Sequence, residues 1–432
     1  QFYSNTVWWR NAQLAEAGTL MDAFRAAGYR VFGTGKIMHH FRKREWDAFG
    51  FQVDYGPMVW DGTNRVALGS IPEPFRSEGP IGGSFGPLKK SATNSEALLE
   101  TQWVCRSAGI NRPYRYENES NRDRTPDEKS AIWAKNKIDQ LATDGTDSPF
   151  FFAIGFVRPH TPLHVPARWF DLYSPDSFSL PVQRKHDRDD TYLEQQFTTL
   201  HKGFYRYQQL ISSYQTEEEG LRAWIQAYLA SVSAVDACIG VVVDALKSQD
   251  LWQNTILIIT SDHGYQLGQK EFLFKGALWE ESMRIPLLVR VPGMPVEKNH
   301  IDTPVSLIDI YPTLVELCGL TLSSSNQVKR VGVSIEPLLN PGSQEKEERM
   351  ALGVMQSDVV EPLDERWMDE PFLNQHWTLR TDRWRYIRYQ DGSEELYDHQ
   401  TDPHEWYNLA GDLAYMEQQK ELAQQLRKVL SK

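Results

Sequence analysis

Three short apolar runs, each closed at once by glycine or by clustered polar residues, constrain the fold more than any other feature. They are residues 29–35 (YRVFGTG), 150–157 (FFFAIGFV) and 255–260 (TILIIT). Each has strand length and is rich in β-branched or aromatic residues. Continuous rather than alternating hydrophobicity, clearest in 150–157, marks a strand covered on both faces. Helical patterns lie between them. Residues 13–27 read as an amphipathic helix with Gly28 as its stop signal, and residues 126–142 as another. Tyr228, Val232, Val235, Ile239, Val242 and Leu246 recur at spacings of 4, 3, 4, 3, 4, one stripe of a long helix. This alternation predicts an α/β chain: a mostly parallel sheet sandwiched by helices. A further strand is expected at 286–291 and a helix at 306–318.

Past a boundary between 340 and 355 the pattern changes. Short runs at 377–381, 385–389 and 395–398, with hairpin punctuation at Asp391-Gly392, precede a helix over 413–430 with Leu422, Leu426 and Val429 on one face. The expected division is therefore a large α/β domain, 1–345, and a smaller C-terminal subdomain, 346–432, with an antiparallel sheet plus helix. The 432 residues accommodate that division at about 150 residues per domain, since large α/β domains exceed that figure. Residues 50–126 and 183–216 show weak periodicity and read as rim loops.

Lys+Arg 46 against Asp+Glu 58 gives −12, which argues against nucleic acid as a partner. No run of about 18 apolar residues is read, so no membrane span is expected. Cys105, Cys238 and Cys318 are far apart and form no metal motif. The last two sit in apolar helical patterns and are expected in the core.

Open α/β sheets bind ligands outside the carboxyl ends of their strands. The first run leads into Lys36, His39 and His40, the second into Arg158-Pro159-His160-Thr161-Pro162, the third into Ser261-Asp262-His263-Gly264. An Asp-His pair suits a divalent metal, and a lysine suits a tetrahedral anion. Singly, each has a plain reading: a hydrogen-bonded histidine, a solvated lysine, an Asx turn. Three such strand ends together favour a site.

In this order, Thr34-Gly35-Lys36-Ile37-Met38-His39, Phe156-Val157-Arg158-Pro159-His160-Thr161-Pro162 and Thr260-Ser261-Asp262-His263-Gly264 resemble the formylglycine-dependent sulfatases of the alkaline phosphatase superfamily. The iduronate-2-sulfatase-like branch looks closest. Lys275 in Phe272-Leu273-Phe274-Lys275-Gly276, residues 306–317, and Leu396-Tyr397-Asp398 through Asp402-Pro403-His404-Glu405 extend the resemblance over nearly the whole chain. It implies Asp262 and His263 as metal ligands, the metal being Ca²⁺, which prefers oxygen donors and so makes His263 the weaker candidate. It implies Lys36 and Lys275 as sulfate-oxygen ligands, His39 as a contact of the hydrated formylglycine, and His160 as proton donor to the leaving alcohol. His40 and His164 are read as supporting residues or substrate contacts.

The family's Asp-Asp strand end and Cys/Ser-x-Pro-Ser-Arg nucleophile segment do not occur in this sequence. Asp189-Asp190 follows Arg188 in a polar run, and Cys105-Arg106-Ser107-Ala108-Gly109 does not match. The formylglycine is therefore expected upstream of Gln1, on a separate N-terminal segment of the same precursor, and the chain alone is expected not to turn over a sulfate ester.

The expected activity is hydrolysis of a sulfate ester on a sulfated carbohydrate. One alternative is a phosphodiesterase or phosphatase of the same superfamily. Its two-zinc centre needs Asp-x-x-x-His, and none of the 11 histidines has an aspartate four residues before it. The other is a non-catalytic glycan-binding relative. Trp46, Trp60, Trp103, Arg106, Arg112, Arg115, Arg184, Lys185 and His186 are the expected specificity residues, suited to an acidic sulfated polysaccharide or oligosaccharide. Such a substrate places the protein in the periplasm or outside the cell, with the lysosome as the alternative.

Overall fold

The computed structural model describes residues 8–10, 16–90, 102–107, 109–145, 148–192, 202–294, 300–321, 331–340, 349–356 and 375–430. The stretch 1–7, residues 193–201 of the second rim loop and residues 341–348 around the expected boundary lie outside them. The chain forms two compact units. One comprises Phe24–Pro181 and Arg206–Thr255, the other Gln1–Ala23, Val182–Tyr205 and Ile256–Lys432. We call them the sheet unit and the composite unit.

Helix α1 (Leu20–Ala26) ends before Gly28, whose φ of +85° is left-handed backbone that favours glycine. In the sheet unit, strands β1 (Arg30–Gly35), β2 (Ala48–Gln52) and β9 (Phe150–Gly155) form a parallel sheet in the order β2-β1-β9. Side chains of β9 alternate between faces. Phe151 stacks on Phe24 of α1, with ring centroids 4.4 Å apart. Phe150, Phe152 and Ile154 pack on a cluster of Ala134 and Ile138 from helix α2 (Pro126–Thr143) with Val242, Ala245 and Leu246 from helix α3 (Glu217–Ser248). Helices therefore cover both faces, as expected. Burying each large apolar side chain stabilises the layer by about 1.5–3 kcal/mol.

A capping box starts α2. Thr125 Oγ1 accepts from the Glu128 amide at 3.3 Å, and Glu128 Oε2 accepts from the Thr125 amide at 2.8 Å.

Three readings are corrected in this unit. First, residues 50–126 are not simply loop. Strands β3 (Met58–Trp60), β4 (Arg65–Val66), β5 (Gln102–Ser107) and β6 (Ile110–Tyr114) form an antiparallel sheet in the order β4-β3-β5-β6. Strands β7 (Tyr116–Asn118) and β8 (Asn121–Arg122) form a hairpin. These strands are too short to show a period. Second, the buried face of α3 includes Leu221, Trp224, Ala227, Ala230 and Ser231, while Val232 of the expected stripe is 38% exposed. Trp224 fixes this face by edge-on contacts with Phe75 and Phe85, each at 5.3 Å. Third, α3 is by length and composition apolar enough to cross a membrane. Asp236 and Asp244 interrupt its apolar run in the sequence but leave its average character apolar.

In the composite unit, β10 (Leu257–Thr260) and β11 (Leu287–Arg290) pair antiparallel. The expected helix at 306–318 is a short 3₁₀ turn, Leu307–Asp309, running into α4 (Ile310–Leu317). Strands β12 (Ala351–Gln356), β13 (Gln375–Arg380), β14 (Trp384–Arg388) and β15 (Glu394–Asp398) form an antiparallel meander. Gly392, at φ +91°, turns β14 into β15. Helix α5 (Met416–Leu430) inserts Leu422 and Leu426 among Trp377, Leu379, Tyr386 and Leu396. The expected small antiparallel sheet plus helix is present.

Candidate active site

Lys36 and His160 rise from the carboxyl ends of adjacent parallel strands. The register pairs Gly35 of β1 with Gly155 of β9, and the Lys36 amide donates to the Gly155 carbonyl at 2.9 Å. Neither glycine has room for a side chain. A Cβ on Gly155 would lie 1.9 Å from the Lys36 carbonyl oxygen, and one on Gly35, at φ +79°, 1.8 Å from that of Gly155. The backbone of Lys36 is thus fixed by main-chain contact. His39 follows on an exposed turn, its ring 5.1 Å from that of His40.

The loop after β9 is held from two sides. On one, buried Asp127 in the first turn of α2 accepts the Val157 amide at 2.8 Å and the Arg158 amide at 3.0 Å. Burial pushes its carboxyl up, against the pull of Arg158 and the two amides. On the other, His164 is fully buried. Its Nδ1 meets the Gly86 carbonyl at 2.9 Å and its Nε2 the Ser84 hydroxyl at 2.8 Å. Burial brings its pKa down to about 3, so the ring is neutral. His164 is a structural lock of this loop, the supporting role among the two readings. His160 itself is half-buried. Its Nδ1 lies 2.6 Å from the Thr161 carbonyl and its ring 4.8 Å from that of Tyr55. A carbonyl only accepts, so Nδ1 carries the proton of the neutral ring.

Asp262, His263 and Lys275 belong to the composite unit. The turn after β10 requires Gly264, where a Cβ would lie 2.2 Å from the Glu281 carbonyl oxygen. His263 Nδ1 meets the Gly264 carbonyl at 2.8 Å, which aims Nε2 at Asp262 Oδ1, 3.7 Å away. Asp262 is exposed. The chain then doubles back. The Gln266 amide donates to the Phe274 carbonyl and the Gly268 amide to that of Phe272, both at 3.0 Å, which returns Lys275 toward the Asp-His turn. Gly268, Lys270 and Glu271 all have positive φ in this finger, at +114°, +53° and +51°. Two non-glycine residues in that region cost energy that the surroundings offset. Lys270 Nζ bonds buried Asp187 at 2.9 Å, and Arg188 pairs with Glu271 at 3.1 Å.

Glu280, His399 and Glu405 offer ligand atoms within 4.8 Å of one another. Two guanidiniums already meet this group. Arg385 bonds both glutamates, and Arg380 bonds Glu280 at 3.3 Å and His399 at 3.0 Å. Burial alone would raise Glu405, but Arg385 and His399 overcome it and bring the carboxyl down to about 2. The group is a compensated ion network, and a cation beside two guanidiniums does not fit it.

Two expected specificity residues, Trp46 and Trp103, serve the core. Trp46 and Trp103 are buried, and Trp103 Nε1 donates to the Lys89 carbonyl at 3.0 Å. Arg184 lies over the Tyr407 ring, 4.0 Å from its centroid. Arg106, Arg112, Arg115, Lys185 and His186 are exposed, and Trp60 is half-buried. Cys105 and Cys238 are buried thiols pushed above their usual range by burial. Residues 127, 155 and 270 were not distinguished by the sequence pattern, and Arg158 was quoted there without a role. An acid in a helix's first turn and a strand glycine carry no special signal.

Comparison with known proteins adds the following. The family model described as Sulfatase matches residues 1–320, and that described as N-sulphoglucosamine sulphohydrolase, C-terminal, matches residues 268–432. A sulfatase of Formosa agariphila is 30% identical over 92% of this chain and 66% of its own length. A choline-sulfatase of Rhizobium meliloti is 28% identical over 66% of this chain and 51% of its own. The chain thus spans between half and two thirds of these relatives. A protein solved with its substrate D-glucosamine-2-N,6-O-disulfate shares the fold at a TM-score of 0.57 and 18% identity, covering 95% of this chain and 81% of that one.

Proposed function

We propose that this chain, which belongs to the sulfatase family, hydrolyses a sulfate ester on a sulfated carbohydrate. The observation that supports this most is the pairing of Gly35 with Gly155, which sets Lys36 and the His160 loop at adjoining strand ends. Lys36 holds sulfate oxygens and offsets the charge that grows on them, the role that the resemblance gives Lys275 as well. His160 delivers a proton from Nε2 to the departing alcohol oxygen while Nδ1 stays on the Thr161 carbonyl. His39 contacts the nucleophile.

Asp262 presents exposed carboxylate oxygens and His263 one nitrogen beside them, which fits part of a divalent site. Calcium collects mainly oxygens, so Asp262 is the better ligand. Ca²⁺ with a formylglycine would supply the attacking oxygen and the charge that steadies it. The exposed Arg106, Arg112 and Arg115 suit an acidic sugar. A polysaccharide substrate argues for a periplasmic or secreted enzyme, and we keep 346–432 as a C-terminal subdomain.

The test is free sulfate measured by ion chromatography, using the full natural polypeptide with its formylglycine confirmed by mass spectrometry. Wild type should release sulfate from a panel of sulfated oligosaccharides. Lys36→Ala should lose about 10²–10³-fold in kcat. Two bound zinc ions with phosphate release instead would overturn the reading, as would tight binding of the panel without turnover.

A further inference from the structure

The Arg158 guanidinium is buried, 7% exposed, and its hydrogen bonds go to four main-chain carbonyls. Nη1 donates to His160 at 3.1 Å. Nη2 is shared among Gly56 at 3.0 Å, Tyr55 at 3.3 Å and His164 at 3.4 Å. Taking a guanidinium out of water is costly unless its donors are met. Here they are met by the backbone on both sides of the His160 ring: residues 160 and 164 of its own loop, and residues 55 and 56 of the segment that packs Tyr55 against it. Asp127 holds the start of the same loop through two amides. His164 holds its end through Ser84 and Gly86.

We propose that Arg158 is a positioning residue for the leaving-group acid: its planar fork ties the loop that carries His160 and Thr161, through the carbonyls of residues 160 and 164, to residues 55 and 56 beside the ring, and Asp127 anchors the clamp. This rests on the role given to His160 above. The fork is what the geometry needs. A lysine ammonium is a point donor, and it cannot hold carbonyls on two segments at once in the same plane. The function is also separable from mere stability, because it acts on one step. Protonating the departing oxygen matters most when that oxygen leaves reluctantly.

The experiment compares Arg158→Lys and Asp127→Asn with the full-length wild type on two probes, 4-nitrophenyl sulfate and phenyl sulfate. The nitrophenolate leaves without help, and the phenolate needs a proton. Arg158→Lys should lose about threefold or less in kcat on the first and on the order of 10²-fold on the second, with KM little changed. Asp127→Asn should show the same trend more weakly. Equal losses on both probes would overturn the proposal in favour of a structural role. A second readout does not use activity. In wild type, histidine ¹⁵N shifts should place the neutral His160 proton on Nδ1, and Arg158→Lys should shift its tautomer balance. A wild-type proton on Nε2, or unmoved His160 signals in the variant, would overturn it. If wild type releases no sulfate from either probe or from the oligosaccharide panel, the sulfatase reading fails, and the ¹⁵N arm still decides the clamp.

Discussion

The strand ends that lead into Lys36 and His160 and the finger that carries Lys275 solve the same problem, fixing a backbone, by different means. At Gly35 and Gly155 the backbone is fixed by main chain against main chain, with a strand ladder beneath and no side chain involved. In the finger 264–275 the backbone takes left-handed φ at Lys270 and Glu271 and is held by buried or half-buried ion pairs to Asp187 and Arg188. The first device tolerates no added atom. The second tolerates change, provided charges are removed in pairs.

The most damaging way to test that contrast is Gly155→Ala. Its Cβ meets backbone at 1.9 Å, and nothing flexible can give way. Thermal or urea unfolding should show a loss of at least about 4 kcal/mol, and soluble, wild-type-like protein would refute the main-chain account.

Lys270→Met should come next, at about 3 kcal/mol, because it leaves Asp187 buried without its partner. Burial already pushes the Asp187 carboxyl up against the pull of Lys270. The double variant Lys270→Met, Asp187→Leu should recover most of the loss. A double mutant as unstable as the single one would show that the finger depends on more than this pair.

Acid should act on the composite unit through Glu405, whose carboxyl falls from an ordinary 4.5 to about 2 in the fold. A depressed acid contributes stability fully above the unfolded value, and that contribution fades as pH drops from about 4.5 to about 2. Roughly 2–3 kcal/mol should disappear over that window, read by urea unfolding at stepped pH. Glu405→Gln should flatten the slope, and an unchanged slope would place the acid sensitivity elsewhere.

The smallest effect is expected from Thr125→Ala at the start of α2, about 1 kcal/mol by thermal unfolding. It should loosen the Asp127 anchor without touching the finger, which hydrogen exchange can resolve region by region.

The candidate residues of the sheet unit were legible because strand, glycine and polar cluster follow one another without a break. Lys36 and His160 could be placed at strand ends from 29–40 and 150–162 alone, while the pairing of those strands came from the structure. The clamp behind them was not legible. Arg158 sat inside the quoted motif, but burial decides its role, and an arginine in a loop is expected to be solvated. Lys270 escaped for the same reason. Strands β3 to β8 were missed since two- to six-residue strands show no period. The stripe on α3 erred because small residues, Ala227, Ala230 and Ser231, form part of its buried face, and a hydrophobicity count passes over them.

The division of the chain has a consequence for how the protein is made. All the residues of the sheet unit precede Ile256, so during synthesis it can close its contacts while the ribosome is still building the later strands of the C-terminal meander. The composite unit has no such option. Its segments before 206 must wait, already synthesised, for partners as late as α5. The lysine and histidine at the ends of β1 and β9 would then be in place first, as a template that stands ready before the composite unit can close.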